Sequence, residues 1–193
     1  MRALVTGGCG FIGSHVVRYL LEQDGITHVS VVDNLCSGSL GHLRGADSDP
    51  RFELHEIDLK DADALNGVFE HGPDHVFHFA ANPDIARATT EPSIDFWEGT
   101  YLTQNVLEAM RRTSTTRLTY ASGSGVYGDR SHLLPNEDFG PLVPVSTYGA
   151  SKLGCESLIA AYCHMFGFTA AAFRFANVVG DGQTHGVTYD FVR

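Results

Sequence analysis

A chain of 193 residues can build one sizeable core, or one domain with a short extension. Its formal net charge of −10 argues against a nucleic-acid or anionic-membrane surface, and no basic stripe runs through it. Cys9, Cys36, Cys155 and Cys163 are scattered, with no CxxC pair and no secretory leader, which reads as free thiols in a reducing cytoplasm; the longest apolar run, 158–163, is too short to span a membrane.

The chain opens on an apolar strand, Arg2–Thr6, that stops at a glycine cluster, and a helix follows over 12–23. A second strand, 29–33, ends in Asp33, and 35–50 is a Ser-, Gly- and Asp-rich loop with room for one helical turn. Phe52–Glu56 is a third strand leading to Asp58, and 61–69 is a short helix whose acidic start suits the helix dipole. The fourth strand is 75–79. His71, His75 and His78 straddle its start and the Gly72-Pro73 turn, so they share no face and no metal site is expected there. A long helix covers 94–112 with Ser93 placed to cap it, and 117–121 is the fifth strand. Residues 128–146 carry Pro135, Pro141 and Pro144 without periodicity, a loop long enough to be functional. A helix over 148–166 and a sixth strand, Thr169–Phe175, complete the alternation. Strands alternating with helices predict an α/β fold: a Rossmann-type doubly wound parallel sheet with helices on both faces.

Two patterns carry chemistry. Gly7, Gly10 and Gly13 are spaced by threes, and Gly8-x-Gly10-x-x-Gly13 fits the dinucleotide fingerprint between a strand and a helix. Such glycines serve a sharp turn, a close approach of backbone to a pyrophosphate, and tight packing of helix on strand, while the helix N-terminus faces the phosphates. Asp33, closing the second strand, stands where a carboxylate accepts bonds from the adenosine ribose. The second pattern is Tyr148-Gly149-Ala150-Ser151-Lys152, which puts Tyr148 and Lys152 on one face of a helix start. A phenol of ordinary pKa about 10 is a poor base, and a neighbouring ammonium with a cationic nicotinamide would favour its phenolate.

With both patterns in hand, the chain resembles the extended short-chain dehydrogenase/reductase family, and within it the sugar-nucleotide epimerases of the UDP-glucose 4-epimerase type. The matching stretches run almost end to end: Val5-Thr6-Gly7-Gly8-Cys9-Gly10-Phe11-Ile12-Gly13-Ser14-His15, Asp33-Asn34-Leu35, Asp58-Leu59, His78-Phe79-Ala80-Ala81, Val126-Tyr127-Gly128, Tyr148 to Lys152, and Arg174-Phe175-Ala176-Asn177-Val178-Val179-Gly180. The resemblance implies a bound NAD that takes a hydride from sugar C4 and returns it to the other face. It implies that Gly7, Gly10, Phe11, Ile12 and Gly13 hold the cofactor. Asp33 and Asn34 would hold the adenosine ribose, with Ser37 and Gly38 in the loop beyond. Asp58 and Leu59 would flank the adenine, and Phe79, Ala80 and Ala81 would line the cofactor's path. Tyr148 would be the base, Lys152 would also hold the nicotinamide ribose, and Asn177 would touch the substrate diphosphate. Arg87 would either reach substrate or serve only solubility. A UDP-sugar is the implied substrate, and the implied partner is a second copy, paired through the two long helices around Asn105 and Cys155.

Three departures stand against that resemblance. The family's Ser or Thr ahead of Val-Tyr-Gly is Gly123 here, flanked by Ser122 and Ser124 as candidate catalytic hydroxyls. The position compared with its cofactor-side Asn is Gly99. The family's chains are longer, so 1–180 reads as an NAD-binding Rossmann domain and 181–193 as the start of a smaller, truncated substrate lobe. Ser124 and Gly125 occupy places where related dehydratases and decarboxylases carry extra acids, which favours simple epimerisation at C4. Another NAD-dependent conversion of a nucleotide sugar, or a cofactor-binding paralogue without turnover, is the alternative.

Overall fold

The computed structural model describes residues 1–129, 134–183 and 187–192. Its elements are β1 (Arg2–Thr6), α1 (Phe11–Leu21), β2 (His28–Asp33), β3 (Phe52–Glu56), α2 (Ala62–Phe69), β4 (His75–His78), α3 (Tyr101–Thr113), β5 (Arg117–Gly123), α4 (Thr147–Phe166), β6 (Thr169–Phe175) and α5 (Val187–Val192). The six strands form one sheet in the order β3-β2-β1-β4-β5-β6. All five pairings are parallel.

Strands buried on both faces read as continuous apolar runs, and β1 and β2 do so for that reason. Alternate residues feed two cores. Leu4, Val32, Val76 and Leu118 face Phe69, Leu107, Met110 and Ile159 of α2, α3 and α4. Val5, Val29 and Val31 face Val17, Leu20 and Leu21 of α1, with Leu43 from the single 3₁₀ turn of the 35–50 loop. The strand order reverses between β1 and β4, so the carboxyl ends of those strands open a crevice where α/β sheets bind ligands.

Three local expectations are corrected. The helix expected over 94–112 carries a π-helical turn, Phe96–Thr100, ahead of α3. Ser93 starts it with its carbonyl, which accepts from the N–H groups of Phe96 and Trp97, rather than with a side-chain cap. β5 runs on to Gly123, because β6 continues beside it and Gly123 pairs with Phe175. Of the two residues around which a paired copy is expected, Cys155 is fully buried in the core and Asn105 is half-buried, its amide donating to the Leu59 carbonyl at 2.9 Å. The exposed apolar side chains of this region are Phe96, Trp97, Met165 and Phe166.

All four cysteines are unpaired. Among the described residues, no helix is long and apolar enough to cross a membrane, and no cluster of His, Cys, Asp or Glu is arranged to hold a metal ion.

Candidate functional site

The glycine loop is built by close approach. Gly7 has φ +68°, and a Cβ there would lie 2.7 Å from the Ala80 nitrogen. A Cβ on Gly13 would lie 2.2 Å from the Gly7 carbonyl oxygen, so only glycine lets α1 start this near β1. Gly10 is the N-cap of α1, which leaves the N–H groups of Phe11, Ile12 and Gly13 without acceptors inside the helix. These residues line a cleft of about 520 Å³ at the carboxyl ends of the strands.

At one end of the cleft, Asp33 Oδ2 accepts from the Cys9 N–H and Oδ1 from the Leu35 N–H, both at 2.9 Å. The carboxylate thus staples the glycine loop to the end of β2, and each oxygen keeps a lone pair for a ligand hydroxyl. Asn34 donates to Asp58 Oδ2 at 3.1 Å, and Lys60 Nζ bridges Asp58 at 3.5 Å and Glu98 at 2.6 Å. Burial opposes the Asp58 charge, but the Lys60 backbone N–H, the Asn34 amide and the Lys60 ammonium together hold it below the usual carboxylate range. Ser37, Gly38, Leu59, Phe79, Ala80 and Ala81 line the same cleft.

At the other end stand Tyr148 and Lys152, at the start of α4. Ser146 caps the helix by accepting from the Gly149 N–H. Thr147 donates to Asp95 Oδ2 at 2.7 Å and Ser151 to the Asp95 carbonyl at 2.6 Å, while Asn82 donates to Asp95 Oδ1 at 2.8 Å. Asp95 therefore fixes the helix that carries the tyrosine. Lys152 Nζ donates to the Ala121 carbonyl at 2.7 Å and lies 5.5 Å from the Tyr148 ring centre. Burial pushes the Lys152 ammonium down to about 8. In the ligand-free cleft burial raises the Tyr148 pKa, and the Asp95 carboxylate adds to the effect. Without a cationic nicotinamide beside it, desolvation of the phenolate outweighs the lysine.

The three positions before the turn separate cleanly. Ser122 is buried and its hydroxyl donates to Glu156, which pairs with Arg174 at 2.9 Å; the serine is spent on structure. Gly123 is extended, φ −154° and ψ 158°, and a Cβ there would approach Tyr148 Cε1 at 3.9 Å. Ser124 opens the 3₁₀ turn Ser124–Tyr127, is exposed, and lines the cleft with Tyr148 and Asn177.

Arg87 is not brought to the cleft. It is exposed on the 3₁₀ turn Ile85–Thr89 and pairs with Glu91 at 2.9 Å. Gly99 does not face the cleft either: a Cβ there would lie 2.4 Å from Ser151 Oγ, and the side chains this stretch gives the cleft are Glu98 and Leu102. Sequence reasoning missed Asp95 and Glu98 on the helical turn ahead of α3, Asn82 after β4, and His42 on the 3₁₀ turn after β2. The arrangement fits a dinucleotide on its own geometry: a cradle that a Cβ would fill, free N–H groups at a helix start, and a carboxylate beside them.

Comparison with known proteins agrees. The model of the NAD dependent epimerase/dehydratase family matches residues 3–192. A crystal structure of a UDP-galactose 4-epimerase is 46% identical with a TM-score of 0.88, covering 100% of this chain and 61% of that one. The UDP-glucose 4-epimerase of Thermus thermophilus, solved in complex with NAD, is 34% identical with a TM-score of 0.87, covering 96% of this chain and 58% of that one. A dTDP-glucose 4,6-dehydratase of Actinoplanes sp. is 35% identical over 95% of this chain and 58% of its own length. The chain spans between 41% and 59% of the length of the curated relatives it matches.

Proposed function

The chain belongs to the NAD dependent epimerase/dehydratase family, and on that premise we propose that it is the cofactor-binding and catalytic part of an NAD-dependent 4-epimerase of a nucleotide sugar, a UDP-sugar first. The observation that carries this reading is the single cleft that holds the glycine cradle and Asp33 at one end and Tyr148, Lys152 and Ser124 at the other. NAD, which the glycine loop and Asp33 would hold, would supply the hydride acceptor and donor for sugar C4. Tyr148 takes the proton of the C4 hydroxyl as a phenolate and returns it to the same oxygen. Lys152, buried beside the tyrosine ring, stabilises that phenolate and contributes an ammonium to the nicotinamide ribose. Ser124 donates to the reacting oxygen from the exposed turn, and Asn177, also exposed in the cleft, contacts the substrate diphosphate. The segment from 181 onward is read as the start of a substrate lobe. A second copy is read as the partner, docked on the outward faces that expose Trp97 and Phe166.

The absence of an acid at Ser124 and Gly125 favours epimerisation over dehydration, although dehydratases stand among the relatives. The test is twofold. Calorimetric titration is expected to show NAD bound more tightly than NADP, since the Asp33 carboxylate repels a 2′-phosphate. Tyr148→Phe is expected to keep NAD binding within about twofold and to lower UDP-glucose/UDP-galactose interconversion by about a hundredfold or more. A Tyr148→Phe protein that keeps most of its rate places the base elsewhere.

A further inference from the structure

His42 lies on the 3₁₀ turn Leu40–Leu43, beyond the ribose-binding loop, and lines the cleft alongside the start of α1. Its Nδ1 is 2.9 Å from the Cys9 carbonyl oxygen. A carbonyl only accepts, so Nδ1 carries the proton and the neutral ring presents an unprotonated Nε2. That Nε2 makes no hydrogen bond among the described residues, and Gly182 closes over it: a Cβ on Gly182 would lie 3.6 Å away. Arg18 locks the backbone of the turn by donating to the His42 carbonyl at 3.0 Å. The imidazole is thus held against the glycine loop by one nitrogen, with the other left unbonded in the cleft that Phe11, Ile12 and Gly13 also line.

We propose that His42 is a pyrophosphate contact of the cofactor cleft, one that binds more tightly when protonated, so that cofactor affinity rises as pH falls. The proposal rests on the dinucleotide reading of the cleft. Protonation turns Nε2 into a charged donor where the ligand carries two negative charges, and a charge-assisted hydrogen bond is about twice as strong as a neutral one. The charged and titratable groups around the ring are few. Arg18 disfavours a second cation, and Asp33 favours it from across the Cys9 N–H. The buried Cys9 thiol is pushed up to about 12 and stays neutral. His15 donates from Nε2 to the Asp181 carbonyl and accepts from Arg18 on Nδ1, so both its ring nitrogens are already bonded.

Calorimetric titration of this chain with NAD, ADP-ribose and adenosine between pH 5.5 and 7.0 tests the proposal, in a window where Lys152, lowered by burial to about 8, stays mostly protonated. NAD and ADP-ribose are expected to bind about threefold to tenfold more tightly at the acid end, and adenosine, which lacks the pyrophosphate, equally at both. His42→Asn retains an amide that can donate to the Cys9 carbonyl but cannot titrate, so its NAD affinity is expected to be flat with pH and to lack the roughly threefold to tenfold gain at the acid end. His42→Gln serves as the second variant if Asn disturbs the turn. A flat wild-type profile, a profile that survives in both variants, or the same profile with adenosine overturns the proposal while leaving the dinucleotide reading in place. No binding of NAD or ADP-ribose at any pH overturns both.

Discussion

Gly123 stands where a hydroxyl is expected beside the tyrosine, and the surrounding space admits one. Its backbone is ordinary extended chain, and an added Cβ would meet nothing nearer than the Phe175 carbonyl oxygen and Tyr148 Cε1 at 3.9 Å. The strand therefore stays regular through position 123 and breaks one residue later, at the turn that exposes Ser124. Ser122 is already bonded to Glu156 on the far side of the strand. These placements sort the three positions by consequence. Ser124→Ala is expected to lower the turnover number on UDP-sugars by roughly tenfold to a thousandfold, the range for one oriented hydrogen-bonding group. Adding Gly123→Ser to that variant is expected to restore rate, because it sets a hydroxyl next to the Tyr148 ring. Ser122→Ala is expected to leave turnover alone and lower stability. Steady-state rates for the three variants decide it, and an unchanged Ser124→Ala rate would remove that serine from the chemistry.

α4 is the element on which the site depends, and it is fastened at two levels. Its first turn is tied to Asp95 by Thr147 and Ser151. One turn beyond Lys152, Glu156 meets the Arg174 fork of β6 through Nε and Nη2 and also receives the Ser122 hydroxyl of β5. The same arginine reaches the Tyr127 hydroxyl and the Glu137 carbonyl, both at 3.2 Å, which ties the loop after β5 to the sheet. The pair is mostly shielded, with side-chain exposures of 19% and 12%. Removing one charge leaves the other buried and unpaired, so Glu156→Gln is expected to cost about 2–3 kcal/mol of unfolding free energy. Arg174→Lys, which keeps the charge but loses the planar fork, is expected to cost less, about 1–2 kcal/mol. Urea unfolding with an unchanged denaturant slope is the measurement. A Glu156→Gln protein as stable as wild type would show that the network adds nothing to the fold.

At the scale of the molecule, the sheet separates two apolar cores, and one buried polar chain threads between β1, β4 and α3. His78 Nδ1 meets Thr6 Oγ1 at 2.6 Å and its Nε2 meets Thr103 Oγ1 at 3.0 Å, so the ring is satisfied while neutral. Burial, with Lys152 nearby, pushes its pKa from 6.5 down to about 3. Between those values the unfolded chain binds a proton that the folded protein does not. Stability is thus fully present above pH 6.5 and is lost as the pH falls toward 3. One such group gives a slope of about 1.4 kcal/mol per pH unit. Burial lowers His55 and His75 in the same direction. Urea midpoints are therefore expected to fall steadily from pH 6.5 to 5.5, above the carboxylate range, and less steeply in His78→Gln. A flat profile over that range would mean that the folded protein takes up the proton after all.

The order of strands and helices was legible in the sequence because a doubly covered parallel sheet demands uninterrupted apolar strands, and short-range glycines mark where each turns. The glycine cradle, Asp33 and the Tyr148/Lys152 pair were legible for the same reason: each is a local pattern whose spacing is set by one turn or one helix face. The π-helical turn was not, and Gly99 within it packs so closely on Ser151, a residue distant in the chain, that a Cβ there would lie 2.4 Å from the serine oxygen. Asp95, Asn82 and the Glu156–Arg174 pair left no local signal, since each partner gains its role only when a crossover lays one element against another. The same holds for Ser122, which the sequence offers as a candidate hydroxyl behind Ser124. Strand alternation alone puts both serines on the face opposite Gly123. Only the packed structure decides that Ser122, although it borders the cleft, is buried and bonded to Glu156, while Ser124 is exposed in the cleft at the turn.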